Sequence, residues 1–145
     1  MTRPFKVLRI NHIGIAPKDC GKTRSFFCDD LGLEFIGEET VQDQETVTVM
    51  FSAGKDTPSR LETLIPLKNG GPIAGFLAKK GSGLHHVALE VDDVQKAVDY
   101  LLAKKVRMID QAPRHGAHQT LIAFVHPESA GGILVELVQS SAFSG

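Results

Sequence analysis

The chain has no apolar stretch approaching the roughly 20 residues that a membrane-spanning helix needs, and its start, Met1-Thr2-Arg3-Pro4-Phe5-Lys6, has no signal-peptide apolar core. It is also too short there for a transit segment, so the expected location is cytoplasmic, or the mitochondrial matrix if such a segment has been removed. Excess charge is missing too. A formal net charge of −1 gives no global field for nucleic acid or an anionic membrane surface, so neither is an expected partner. Cysteine is scarce: Cys20 and Cys28 make no CxxC pair and stand eight residues apart on a segment read as helical. That separation excludes a local disulfide and a thiolate zinc knuckle, and leaves ordinary thiols in a reducing compartment. What remains is 145 residues, 42% hydrophobic and 23% charged, enough for one domain with its own core.

Within that composition one spacing occurs twice. His12 and His86 are 74 residues apart (86 − 12), and so are Glu62 and Glu136 (136 − 62). Each lies in a short apolar run: Ile10–Ile15, Leu84–Leu89, Leu61–Leu64 and Val135–Val138. The same shift aligns Asp19 with Asp93 and Phe26 with Tyr100. A repeat of this kind indicates a duplicated module.

The patterns predict the elements of each copy. In module 1, about residues 7–65, Val7–Ala16 reads as a strand, and Asp19 caps a helix with Phe26, Phe27 and Leu31 on one side and Gly32 as its stop. Leu33–Glu38 follows as a strand, Glu39–Glu45 as a polar stretch, and Val47, Val49 and Phe51 alternate as another strand. A turn at Gly54–Ser59 precedes the last strand, Arg60–Ile65. The linker, about 66–83, carries a short amphipathic helix at Ile73–Lys80. Module 2, about 84–139, has strand Leu84–Val91, then a helix from Val94 to about Lys104 capped by Asp92-Asp93. Strands Val106–Asp110, Leu121–His126 and Gly132–Gln139 complete it. The fold class is therefore α+β, two βαβββ modules of a single domain paired around a metal-containing cavity.

Alternation of side chains along a strand sets His12 in phase with Gly14, and His86 with Leu84 and Ala88. Glu62 faces away from Leu61, and Glu136 away from Val135 and Leu137. A lone histidine in a strand is commonly a hydrogen-bonded structural residue, and a glutamate there usually faces water. Glu136 resists that reading, because Ile133–Val138 has the pattern of a strand buried on both faces, where a carboxylate needs a partner or a metal. Four such residues obeying one offset make a ligand set of His12, Glu62, His86 and Glu136. Two imidazoles and two carboxylates without a thiolate suit Co²⁺, Mn²⁺, Ni²⁺, Mg²⁺ or Zn²⁺. An octahedral ion so held keeps two positions for substrate oxygens, which suits enolate stabilisation during proton abstraction beside a carbonyl. His85 should point to the opposite face as a structural residue, and His115, His118 and His126 fall in or near loops. The Pro113–Ala117 loop reads equally as an anion site through Arg114 and as an ordinary turn. Lys79-Lys80 and Lys104-Lys105 complement helix dipoles.

These residues resemble the vicinal oxygen chelate superfamily, which includes glyoxalase I and the extradiol dioxygenases. Within it, Pro72–Leu77, Gly83–Ala88, Glu90–Val94, Pro113–Ala117, Phe124–Pro127 and Gly131–Leu137 resemble the methylmalonyl-CoA epimerases. The resemblance is strong from about Pro66 to Gln139 and looser before it. It implies epimerisation of an acyl-CoA at C2 with a divalent metal, commonly in a homodimer, with Glu136 as the preferred acid–base group and Glu62 as the other. Some of these epimerases carry a further glutamate on the strand equivalent to Thr46–Phe51; alignment places Val49 there, with Thr48 beside it and Glu45 upstream. Glu128 also stands where a lysine is usual, and Ser59-Arg60 is atypical. The alternatives are a glyoxalase-I-like isomerase, an extradiol dioxygenase, which needs only two histidines and one carboxylate, and a metal-free ligand-binding protein of the same fold.

Overall fold

A computed structural model of the chain describes residues 2–54, 57–67 and 70–140. Two compact units divide it: unit 1 is Met1–Asn11 with His86–Gly145, and unit 2 is His12–His85. Strand β1, Val7–Ala16, contributes its first half to unit 1 and the rest to unit 2. Among the described residues, no helix is long and apolar enough to cross a membrane.

Unit 2 is built on strands in the order β2-β3-β4-β1, with β2 at Glu34–Val41, β3 at Thr46–Ser52 and β4 at Arg60–Pro66. β2, β3 and β4 pair antiparallel, and β1 runs parallel to β4 with Gly14 beside Glu62. Helix α1, Cys20–Ser25, starts at Asp19, whose side chain accepts from the Lys22 N–H. It then widens into a π turn over Phe26–Asp30, closed by the Leu31 N–H on the Phe26 carbonyl, and Gly32 at φ 80° ends it. That widening departs from the expected helical phase. Phe27 stays buried against Val49 and Phe51, while Phe26 and Leu31 turn out to solvent. On the other sheet face, helix α2 at Pro72–Lys80 sets Ile73 on Ala16 and Leu64. Lys55 and Asp56 of the expected turn, and Lys68 and Asn69 of the linker, lie outside the described residues.

Unit 1 orders its strands β1-β5-β8-β7-β6, with β5 at Gly83–Val91, β6 at Arg114–His115, β7 at Leu121–Val125 and β8 at Val135–Gln139. The first three residues of β5 fall in unit 2. β8 lies parallel to β5 with Ala88 beside Glu136, and antiparallel to β7 with Glu136 beside Phe124. Helix α3, Val94–Ala103, covers one sheet face through Val94, Ala97 and Val98, which pack on Val91, Ala123, Val125 and Leu137. Its cap repeats that of α1: the Asp93 side chain accepts from the Lys96 N–H. The opposite face buries Ala88, Ile122, Phe124 and Val138.

The expected strand Val106–Asp110 is not formed. Only Met108 bridges to Val125, the N–H groups of Ile109 and Asp110 share the Phe124 carbonyl, and the Asp110 carboxylate takes the Phe124 N–H at 2.8 Å. A side chain thus occupies the donor that a ladder would use, and the edge strand forms later, at Arg114–His115.

Candidate functional site

Register decides which side chains of unit 2 share the face of His12. In β1 that face carries His12, Gly14 and Ala16; across β4 it carries Glu62 and Leu64. The β3–β4 pairing adds Met50 opposite Glu62 and Thr48 opposite Leu64, and β2 adds Glu39 opposite Thr48. His12 Nε2 stands 3.7 Å from Glu62 Oε1, with both side chains buried. Burial pushes the Glu62 carboxyl up to about 8, and the negative charge of Glu39 adds to the effect. A carboxylate so placed is stabilised by a cation and otherwise takes up a proton.

In unit 1, His86 shares a sheet face with Ala88, and Ala88 lies beside Glu136, so both ligand candidates project from one face. Their ligand atoms lie within 4.8 Å of each other, and both residues are buried. The His86 ring meets Phe124 edge-on, with centroids 6.1 Å apart. Behind it, the Arg114 guanidinium lies 5.5 Å over Phe124 and its Nε is 3.1 Å from Asp110. That pair lacks hydrogen-bond geometry, and the Arg114 Nε is left without a hydrogen bond. Arg114 therefore braces the aromatic ring that flanks His86.

Each unit thus pairs one buried imidazole with one buried carboxylate. The donor chemistry fits a divalent ion: hard carboxylate oxygens and borderline imidazole nitrogens, with a raised Glu62 carboxyl that a cation would compensate.

The remaining candidates separate. His85 faces Phe76 edge-on at 5.0 Å, and burial followed by the Lys80 charge holds its imidazole below the usual range, as suits a neutral structural residue. His126 accepts the Glu128 N–H through Nδ1 and so caps a turn, while His115 is exposed. Cys20 and Cys28 are free thiols. Val49 lies on the helix-covered face with Phe27 and Phe51, whereas the residues of β3 on the His12 face are Thr48 and Met50. Glu39 was missed because Glu39–Glu45 reads as a polar loop; the β-branched pair Thr40-Val41 was the signal that β2 continues through it.

Comparison with known proteins adds the context. The model of the glyoxalase/bleomycin resistance protein/dioxygenase superfamily matches residues 11–124. The mitochondrial methylmalonyl-CoA epimerase of Bos taurus is 41% identical over 133 residues, which is 91% of this chain and 74% of that protein. The crystal structure of methylmalonyl-CoA epimerase from Mycobacterium tuberculosis superposes with a TM-score of 0.89 at 30% identity, covering 97% of this chain and 93% of that one. A methylmalonyl-CoA epimerase solved with methylmalonyl-CoA and NH4+ gives a TM-score of 0.88 at 33% identity, over 95% and 98% of the two chains.

Proposed function

Since the chain belongs to the glyoxalase/bleomycin resistance protein/dioxygenase superfamily, and within it to the methylmalonyl-CoA epimerases, we propose that it interconverts (R)- and (S)-methylmalonyl-CoA, with His12, Glu62, His86 and Glu136 as ligands of one divalent ion. The observation that carries this reading is the buried His–Glu pair in each unit, on chains so similar to epimerases. The ion, whichever of Co²⁺, Mn²⁺, Ni²⁺, Mg²⁺ or Zn²⁺ it is, supplies positive charge where an enolate develops negative charge.

The protein's own groups do the rest. C2 of the substrate lies between a thioester and a carboxylate, so its proton is acidic enough for a carboxylate to take. Inversion needs one group to remove the proton from one side and another to deliver a proton to the opposite side. Glu136 is the preferred acid–base group. It is buried, with Ala88 of β5 and Phe124 of β7 as its strand neighbours. Glu62, buried beside His12, is the other candidate. A homodimer fits the exposed apolar residues of β1, Val7, Leu8 and Ile10, which are 54%, 42% and 58% exposed. An acyl-CoA substrate fits the cytoplasm, or the mitochondrial matrix.

Deuterium exchange at C2 of methylmalonyl-CoA in D2O, with and without a chelator, tests the reading. Exchange that is lost on chelation and restored by Co²⁺ or Mn²⁺ is the expected result. No exchange in the metal-loaded protein rejects it.

A further inference from the structure

Glu62 is asked both to bind the ion and to move a proton, and the His12 face of unit 2 offers another carboxylate. Glu39 is half-buried in the middle of β2, directly opposite Thr48, on the same face as Met50 and Glu62. Two strand spacings of about 4.8 Å and one pleat of about 7 Å separate the two glutamates at the backbone. Two inward-pointing glutamate side chains can bring their carboxylates much closer than that.

The chain selects this residue through a local irregularity. Phe35 pairs with Phe51 but Gly37 pairs with Met50, so one extra residue is inserted between them, and Gly37 adopts φ 145°. Without that bulge the register would place Glu38 opposite Thr48, and Glu39 would point to the other face. With it, Glu38 is exposed opposite Val49 and Glu39 takes the His12 face. The Thr48 hydroxyl then donates to the Glu39 carbonyl at 3.2 Å and fixes the backbone at this point. β2 thus spends a bulge on turning one carboxylate inward, beside a residue whose hydroxyl secures it.

We propose that Glu39 is the second acid–base residue of the epimerisation, acting with Glu136 and leaving Glu62 to metal ligation; this rests on the epimerase reading above. In one direction a carboxylate takes the C2 proton as the C–H electron pair passes into the enolate. The carboxylic acid on the other side gives its proton to C2. The two groups end with exchanged protonation states, which proton transfer to water resets.

A residue with this role serves one side of the substrate only, and that gives a readout no structural role would move. Metal-loaded wild type, Glu39→Gln, Glu39→Asp and the control Glu38→Gln are each given separate (R)- and (S)-methylmalonyl-CoA in D2O. Glu39→Gln should lower inversion at least ~100-fold while one epimer still exchanges its C2 proton with retention. Glu39→Asp should recover part of the inversion, and Glu38→Gln should match wild type. Inversion by Glu39→Gln within about threefold of wild type overturns the proposal. Loss of exchange from both epimers by a Glu39→Gln protein that keeps its metal also overturns it, since a one-sided group cannot do that. If Glu39→Gln does not fold, Glu39→Asp decides: equal loss of exchange from both epimers rejects the role, and loss biased to one epimer upholds it. Wild type that exchanges neither epimer rejects the epimerase reading itself, and this assignment with it.

Discussion

Replacing Glu90 with alanine should destabilise the protein by about 3 kcal/mol. The Glu90 side chain is fully buried in unit 1. Its Oε1 accepts from Arg9 Nη2 at 2.9 Å, Asn11 Nδ2 at 2.9 Å and Ser140 Oγ at 2.7 Å, and its Oε2 accepts from Arg9 Nε at 3.2 Å. Hydrogen bonds to a charged group each contribute about 1.5–3 kcal/mol, and removing one partner of a buried ion pair costs about 3–5 kcal/mol. Arg9 keeps 31% of its side chain exposed and can regain water, which sets the estimate at the lower end of that range. With a urea m-value of about 2 kcal/mol/M, the unfolding midpoint should fall by roughly 1.5 M. Glu90→Gln, which keeps the shape and loses the charge, should cost about 2 kcal/mol. The pH dependence follows from the direction of the shift. Burial alone would raise the Glu90 carboxyl, but the bonds from Ser140, Asn11 and Arg9 and the Arg9 charge outweigh it and leave it below the usual range. A group depressed in the folded state contributes stability above its unfolded value, near 4.3, and loses that contribution as pH falls through the folded value. The gap between wild type and Glu90→Gln, read by urea unfolding, should therefore be constant from pH 7 to about 5 and shrink below about 4. A gap that stays constant to pH 3, or widens there, refutes the reasoning.

Phe51 is fully buried and meets Phe27 and Phe35 edge-on at 5.5 and 6.3 Å, so Phe51→Ala should cost about 3–5 kcal/mol in thermal or urea unfolding. Metal affinity should rise with pH because Glu62 must lose its proton to bind an ion, and burial followed by the Glu39 charge holds that proton up to about 8. Calorimetric titration in buffers of different ionisation enthalpy should show release of close to one proton from this carboxyl at about pH 7, falling to about half a proton by pH 8, and Glu62→Gln should abolish that contribution. In the metal-free protein the sign reverses: the raised carboxyl contributes stability below about 4.3 that is lost as pH climbs through about 8, so Glu62→Gln should gain on wild type over that interval.

The duplicated parts were legible because they are governed by short-range rules. Asp19 and Asp93 cap α1 and α3 with the same acceptor geometry, and side-chain alternation placed His12 with Gly14 and His86 with Ala88. Sequence alternation failed where the period itself changes. The π turn over Phe26–Asp30 takes Phe26 and Leu31 out of phase with Phe27. The extra residue before Gly37 reverses the faces of Glu38 and Glu39, and no propensity signals that insertion beyond the glycine. The neighbourhood of Asp110 failed for another reason: its carboxylate replaces a main-chain partner of Phe124, and a side-chain substitution of that kind carries no periodicity. Alignment to the epimerases carries no face information, whereas the pairing Met50–Glu62 puts Thr48 and Met50, not Val49, on the His12 face.

The central claim is that two His–Glu pairs, one from each unit, serve a single ion. Metal content per chain, determined on wild type and on His12→Ala and His86→Ala after dialysis against one equivalent of Co²⁺, addresses it most directly. The account predicts one ion per wild-type chain and a loss of most of it in each variant, since both histidines ligate the same ion. Two ions per wild-type chain, or full metal content in either variant, would contradict it.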